Sequence, residues 1–251
     1  MEEKLKKNMK DLLTKFMRIR NQGLVKSLRD GYSGIGYTFE TLIGKKEDDS
    51  YLPDYNGIEI KTKLGYSKTP LTLFTLIAEK DGVSATEYLL NTFGYPNSKD
   101  RKLKSFAANV WRSKEDLACG RYYFYLKVIE DLNKIVLFVY NTDYDLVDSC
   151  VYWNLDEVKN RLVTKLNCMA YIKGYPYTVN GEKYYKYMSL NFYKLRSFDK
   201  FIELINDNKI HITINITTYT DEERYGQIHD CGCAFKIDLD YIDELFEKVK
   251  L

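Results

Sequence analysis

With 251 residues, 45% hydrophobic and 15% aromatic, the chain carries enough apolar surface for one mixed domain, or two small ones, around a packed core. Its 38 basic and 36 acidic residues leave a net charge of +2, so bulk charge alone does not mark a nucleic-acid binder. No apolar run approaches the roughly 18 residues of a membrane span, and the first twenty residues are too charged for a signal-peptide core. Five cysteines make an odd number, so a cytoplasmic protein with reduced thiols is expected.

Leu5, Met9, Leu12, Leu13 and Phe16 recur at spacings of three and four, which predicts an amphipathic helix over 3–21 that ends near Gly23. A glycine-rich turn from Gly31 to Gly36 leads into a short helix over 38–43, closed by Gly44. From Asn56 the period becomes two, with Ile58 and Ile60 on one face and Glu59, Lys61 and Lys63 on the other, the pattern of a half-buried strand. Further strands are predicted over 71–78, 121–130 and 134–141, where β-branched and aromatic residues dominate. Helices follow over 156–166 and 197–206, the second with Ser197 as N-cap. Strands return over 169–173, 184–191, 209–219 and 234–239, before an amphipathic terminal helix from about Tyr241. With neither repeat nor low-complexity linker, the pattern gives no sharp domain boundary and predicts an α/β (α+β) architecture around a mixed sheet. Basic residues cluster at Lys4, Lys6, Lys7 and Lys10, between Lys99 and Lys104, and among tyrosines at Lys183, Lys186 and Lys194. Such clusters follow a phosphate backbone or form a solvated face, and composition does not separate the two.

The chemistry concentrates in Pro53-Asp54-Tyr55-Asn56-Gly57-Ile58-Glu59-Ile60-Lys61. Strand alternation sets Glu59 and Lys61 on one face while Asp54 approaches from the preceding turn. Neighbouring carboxylates repel unless a cation lies between them, and hard oxygen ligands suit Mg²⁺. Lys61 would orient a water or neutralise charge on a pentacovalent phosphorus transition state. Glu-x-Lys by itself says little, since Glu2/Lys4 and Glu157/Lys159 repeat it within helical stretches. A salt-bridged surface strand is the competing reading of Glu59 and Lys61.

The run Gly34-Ile35-Gly36-Tyr37-Thr38-Phe39-Glu40, then Pro53-Asp54 through Lys61, then Leu71-Thr72-Leu73-Phe74, resembles in order and spacing the MvaI/BcnI family of type II restriction endonucleases, relatives of the mismatch-repair nickase MutH. The resemblance continues through Val151-Tyr152-Trp153, Lys183-Tyr184-Tyr185-Lys186-Tyr187 and His229-Asp230-Cys231-Gly232 with Ala234-Phe235, and looks closest to the MvaI branch. It implies a restriction-endonuclease-like core, a mixed sheet flanked by helices, joined to a DNA-recognition lobe. The expected division is a catalytic lobe over about 1–145 and a mainly DNA-recognition lobe over about 146–251. The implied activity is Mg²⁺-dependent, sequence-specific hydrolysis of double-stranded DNA by a monomer that nicks the two strands in separate events, with a DNA methyltransferase as functional companion. By the resemblance Asp54 and Glu59 match the metal-binding carboxylates and Lys61 the family's lysine. Glu40 matches an acidic residue that supports the metal site through water; without the resemblance it reads as a solvated helix carboxylate. The alternatives are a MutH-like repair nickase and a non-catalytic DNA-binding module.

His229-x-Cys231-x-Cys233 has metal-like residue types but lacks a fourth ligand at zinc-finger spacing. The resemblance favours a DNA-reading loop, with His229 and Asp230 at matching positions and Cys231 where MvaI-like enzymes have a second histidine. Asn215 and Lys236 stand where those enzymes place arginines that grip guanine. Asn pairs bidentately with adenine, so the expected target is related to CC-N-GG with at least one flanking C·G pair replaced by T·A. A register slip would instead leave Asn215 a plain strand residue. Gly34-x-Gly36 lacks the remaining residues of a nucleotide-binding loop, and His211 is expected to be a strand residue rather than a catalyst.

Overall fold

A computed structural model describes residues 2–46, 51–118 and 120–251, apart from the side chains of Glu2 and Cys231. In chain order the elements are α1 (Glu2–Asn21), β1 (Val25–Lys26), α2 (Gly34–Leu42), β2 (Glu59–Leu64), β3 (Leu71–Leu76), α3 (Ala85–Phe93), β4 (Tyr95–Pro96) and β5 (Lys104–Val110). Next come β6 (Leu117–Ala118), β7 (Tyr122–Ile129), β8 (Lys134–Tyr140), β9 (Leu146–Asn154), α4 (Leu155–Leu166), β10 (Cys168–Val179) and β11 (Glu182–Leu195). The chain closes with α5 (Phe198–Asn206), β12 (Ile210–Thr218), β13 (Ile228–Ile237), α6 (Ile242–Leu245) and β14 (Phe246–Val249). No helix among the described residues is long and apolar enough to cross a membrane.

Two compact units share these elements. The first draws on Met1–Thr69, Leu162–Arg196 and Ile242–Leu251, the second on Pro70–Arg161 and Ser197–Tyr241. Neither unit ends near residue 145, because each takes segments from both halves of the chain. The reason lies in one strand pair: β10 runs parallel to β2, with Glu59 opposite Met169 and Lys61 opposite Tyr171. Parallel neighbours require a long crossover, and here the crossover contains most of the second unit.

The first unit is a mixed sheet in the order β1-β11-β10-β2, with β14 also paired to β11. β10 and β11 form a long hairpin around Asn180 and Gly181, both with positive φ (51° and 81°). Ile58, Ile60, Ala170, Ile172, Tyr185 and Tyr187 form one face of the sheet, and Met9, Leu12 and Phe16 of α1 with Ile35 and Phe39 of α2 bury it. Burying that many large side chains is the main favourable term in holding the unit together. Strand β14 and the four-residue α6 replace the predicted terminal helix. Ile242, Leu245, Phe246 and Val249 do have helical spacing, but the free edge of β11 offers a backbone ladder from Phe192 to Leu195 that outweighs it.

The second unit contains a sheet in the order β3-β13-β12-β5-β4 and a four-stranded sheet β6-β7-β8-β9. Aromatic contacts hold it: Phe74 stacks on Phe235 at 4.7 Å, Trp153 meets Phe235 edge-on at 5.9 Å, and Phe106 meets Phe124 at 5.4 Å. The buried Trp153 indole donates to the Leu76 carbonyl at 3.2 Å, so burial leaves no orphan donor there. Helix α3 was not read from the sequence, although Ser84-Ala85-Thr86-Glu87 is a capping-box signature, and the Ser84 side chain accepts from the Glu87 amide. Ser197 caps α5 as predicted, accepting from the Lys200 amide at 3.0 Å.

Candidate active site

Asn56 and Gly57 place the first carboxylate. Both have left-handed backbone, with φ of 46° and 86°, and Tyr55 and Ile58 exchange two main-chain hydrogen bonds of 2.9 Å, as in a type I′ turn. The turn folds Asp54 back beside the start of β2, where its Oδ2 accepts from the Ile60 amide at 2.9 Å. Helix α1 holds the turn from the other side. Asn8 Nδ2 donates to the Asn56 carbonyl at 2.9 Å, and the Tyr55 hydroxyl donates to Asp11.

Glu59, the first residue of β2, is only 2% exposed, so the strand is buried on both faces at this point and not on one as its alternation suggested. One oxygen, Oε1, meets Lys61 Nζ at 2.8 Å and Lys165 Nζ at 3.4 Å; the other, Oε2, is buried with no hydrogen-bond partner. Burial pushes the Glu59 carboxyl above its ordinary range, and the Asp54 charge adds to that, while the two lysines pull it down. Glu40 reaches the same neighbourhood from α2. Burial first, then the charges of Asp54 and Glu59, raise its carboxyl to about 7. Lys165 is the participant that sequence reading missed. It occupies the last turn of α4, where a basic side chain looks like a complement to the helix dipole and nothing local points toward the site.

A buried carboxylate oxygen without a donor, beside a second carboxyl, Glu40, that burial and the charges of Asp54 and Glu59 keep protonated above its ordinary range, is an arrangement that a hard dication relieves. Among the described residues, no three His, Cys, Asp or Glu side chains are grouped so as to grip an ion by themselves. Asp54 and Glu59 would be enough for Mg²⁺, which keeps several waters and takes only one or two carboxylates. Beside the carboxylates opens a cleft of about 300 Å³, lined among others by Arg29, Tyr37, Glu40, Lys45, Lys61 and Thr62.

The profile of the MvaI/BcnI restriction endonuclease family matches residues 13–246. The chain belongs to that family. Its structure is similar to that of the restriction endonuclease MvaI in complex with cognate DNA, with a TM-score of 0.86 at 29% identity over 95% of this chain and 96% of that one. The same enzyme without DNA gives a TM-score of 0.62 at 28% identity, over 96% of each chain. No curated protein sequence gives a match.

In this MvaI/BcnI family member, the residues expected to read DNA lie on strands β12 and β13. The stretch expected as a loop at His229 and Asp230 is the beginning of β13, paired with Thr217 and Ile216, because the alternating isoleucines of β12 extend the ladder that far. Asn215 is exposed on β12, and Lys236 lies directly across from His211 on β13. Asn215 lines a groove of about 660 Å³ with Asn109 and Thr213. His229 Nδ1 pairs with the Tyr219 hydroxyl at 2.6 Å. Asp230 uses both oxygens within the unit: one accepts from the Thr86 hydroxyl of α3, the other from the Gly232 amide at 2.7 Å. The Cys231 side chain and Cys119 lie outside the described residues. His211 is 4% exposed and stacks on Trp111 at 4.8 Å, a packed strand residue.

Proposed function

We propose that the protein is a type II restriction endonuclease that hydrolyses double-stranded DNA with Mg²⁺ at the site formed by Glu40, Asp54, Glu59 and Lys61. The observation that carries this reading is Glu59, whose buried Oε2 has no donor while Asp54, fixed by the Asn56-Gly57 turn, raises its proton affinity. Asp54 and Glu59 would hold the ion, with Glu40 acting through water. When bound, Mg²⁺ supplies charge neutralisation at the scissile phosphate and lowers the pKa of water there.

The chain's own groups do the rest. Lys61, held at 2.8 Å by Glu59, lines the cleft, where its remaining N–H bonds donate to a phosphate oxygen as negative charge builds in the transition state. Lys165 shares the Glu59 charge and fixes that carboxylate's orientation. Glu40, whose carboxyl is raised to about 7 in the metal-free site, would become the charged form once Mg²⁺ offsets the Asp54 and Glu59 charges. Asn215, His229, Asp230, Cys231 and Lys236 form the proposed base-reading set. Asn215 offers an amide to adenine N6 and N7, Lys236 a donor to guanine or a phosphate, and Asp230 acts by fixing the strand start. The target is accordingly related to, and distinct from, CC-N-GG. The protein acts as a cytoplasmic monomer that nicks one strand and then the other, with a methyltransferase protecting host DNA.

The test is digestion of plasmid and genomic DNA with Mg²⁺, followed by sequencing of fragment ends. Asp54→Ala and Lys61→Ala should abolish cleavage while DNA binding in Ca²⁺ persists. Open-circular plasmid should accumulate before linear product. Arrest at the open circle would favour a repair-type nickase, and near-normal cleavage by either variant would remove the site assignment. Ends confined to CCWGG or CCSGG would show that Asn215 does not redirect readout.

A further inference from the structure

The cleft beside the carboxylates is wider than a water-activating site needs. The segment that precedes α2 also lines it. Arg29 lies there with its guanidinium stacked on the Tyr37 ring, Cζ 3.7 Å from the ring centroid. Its backbone is fixed as firmly as its side chain. The Ser27 hydroxyl donates to the Arg29 carbonyl at 2.7 Å, and that carbonyl presses so closely on Gly34 that a Cβ there would collide with it and with the Tyr185 hydroxyl. The Tyr187 hydroxyl donates to the Ile35 carbonyl at 2.8 Å and ties the start of α2 to the sheet. An arginine held at both ends loses little freedom on binding, and its planar fork matches two oxygens of a phosphate.

The remaining lining points to the same ligand class. Lys45 and Lys61, the latter paired with Glu59 at 2.8 Å, line the same cleft. Ser33, which precedes α2 and lines the cleft, makes no side-chain cap bond. Tyr32 also lines the cleft and is 99% exposed, a costly position for an aromatic residue and a usable one for stacking on a base or sugar.

We propose that this cleft is a binding subsite for the DNA phosphodiester that flanks the scissile one, with Arg29 gripping the phosphate and Tyr32 stacking on the adjoining nucleoside. The proposal rests on the nuclease reading, because Lys61 is shared: one wall serves the reacting phosphate, the other its neighbour on the same strand. Arg29 is a positioning residue. It sets the register of the strand against Asp54, Glu59 and Lys61 without touching the bond that breaks.

The experiment uses the full chain in Ca²⁺, with a random-sequence duplex and a duplex carrying the cleaved site. Arg29→Ala should weaken binding to both by roughly tenfold or more, and should lower the slope of log affinity against log salt by about one. Arg29→Lys should restore the slope and only part of the affinity. The decisive arm replaces single phosphates around the cleaved bond by uncharged methylphosphonates. One position beside that bond should weaken wild-type binding by roughly tenfold and add nothing in Arg29→Ala. Should Arg29→Ala melt early, Tyr37→Leu, which frees the guanidinium but keeps its charge, should show a smaller loss confined to the same phosphate. Wild-type affinity and slope in Arg29→Ala, or equal methylphosphonate penalties in both proteins at every position, would overturn this subsite and leave the nuclease reading standing. A wild-type protein that neither binds nor cuts DNA would overturn both.

Discussion

Replacing Glu40 by Gln tests the electrostatics of the site while conserving its packing. The Glu40 carboxyl sits at about 7 against an ordinary 4.5, through burial first and then the charges of Asp54 and Glu59. At about 1.36 kcal/mol per pH unit that displacement is worth roughly 3 kcal/mol, and because Glu40 keeps part of its surface in water, screening reduces the expected effect to about 1–2 kcal/mol. The folded state binds this proton more tightly than the unfolded chain does. The stabilising contribution is therefore fully present below 4.5 and is lost as the pH rises through 7. In EDTA at high pH, Glu40→Gln should be more stable than wild type by about 1–2 kcal/mol, which for a chain of this size raises Tm by roughly 2–8 °C. Below 4.5 the two should coincide. Added Mg²⁺ should narrow the gap at high pH, since the cation offsets the repulsion that Gln removes, and cleavage by the variant should fall by roughly tenfold or more. Thermal unfolding followed by circular dichroism across that pH range, with EDTA and with Mg²⁺, gives the comparison. A variant no more stable than wild type at high pH, or a gap that persists unchanged into acid, would refute the repulsion on which the metal site is argued.

Lys165→Met keeps the length of the side chain and removes its charge beside the buried Glu59, so the metal-free protein should lose about 1–2 kcal/mol, with Mg²⁺ restoring part of it; denaturant titrations that show no difference in EDTA would discount Lys165. Gly57→Ala forces a side chain into a φ of 86° and should cost about 1–2 kcal/mol. It should also lower the single-turnover cleavage rate by shifting Asp54, and an unaltered rate would show that the turn does not position that carboxylate. His211 is held at about 4 against 6.5, by burial first and then by Lys236 and Lys114, so its contribution is present above 6.5 and is lost as the pH falls toward 4. His211→Leu should lack that acid limb, worth up to about 3 kcal/mol in wild type, and identical pH profiles would contradict it.

The sequence by itself determined the parts of the site that are local. Asp54, Glu59 and Lys61 lie on one short hairpin, where an Asn-Gly turn and a period of two decide which side chains come together before any long-range contact forms. Helix α1 and the Ser197 cap were legible for the same reason: spacing and a capping side chain are properties of neighbouring residues. Tertiary structure alone decided what covers each face. Alternation says that Glu59 points away from Ile58 and Ile60, but it does not say that α4 brings Lys165 to that side and buries the carboxylate to 2% exposure. The parallel pairing of β10 with β2 likewise interleaves the two units, and the edge of β11 turns a helix-spaced tail into β14. These outcomes depend on backbone ladders between segments far apart in the chain, and the free energy of such a ladder belongs to the pair of segments and is written in neither one alone.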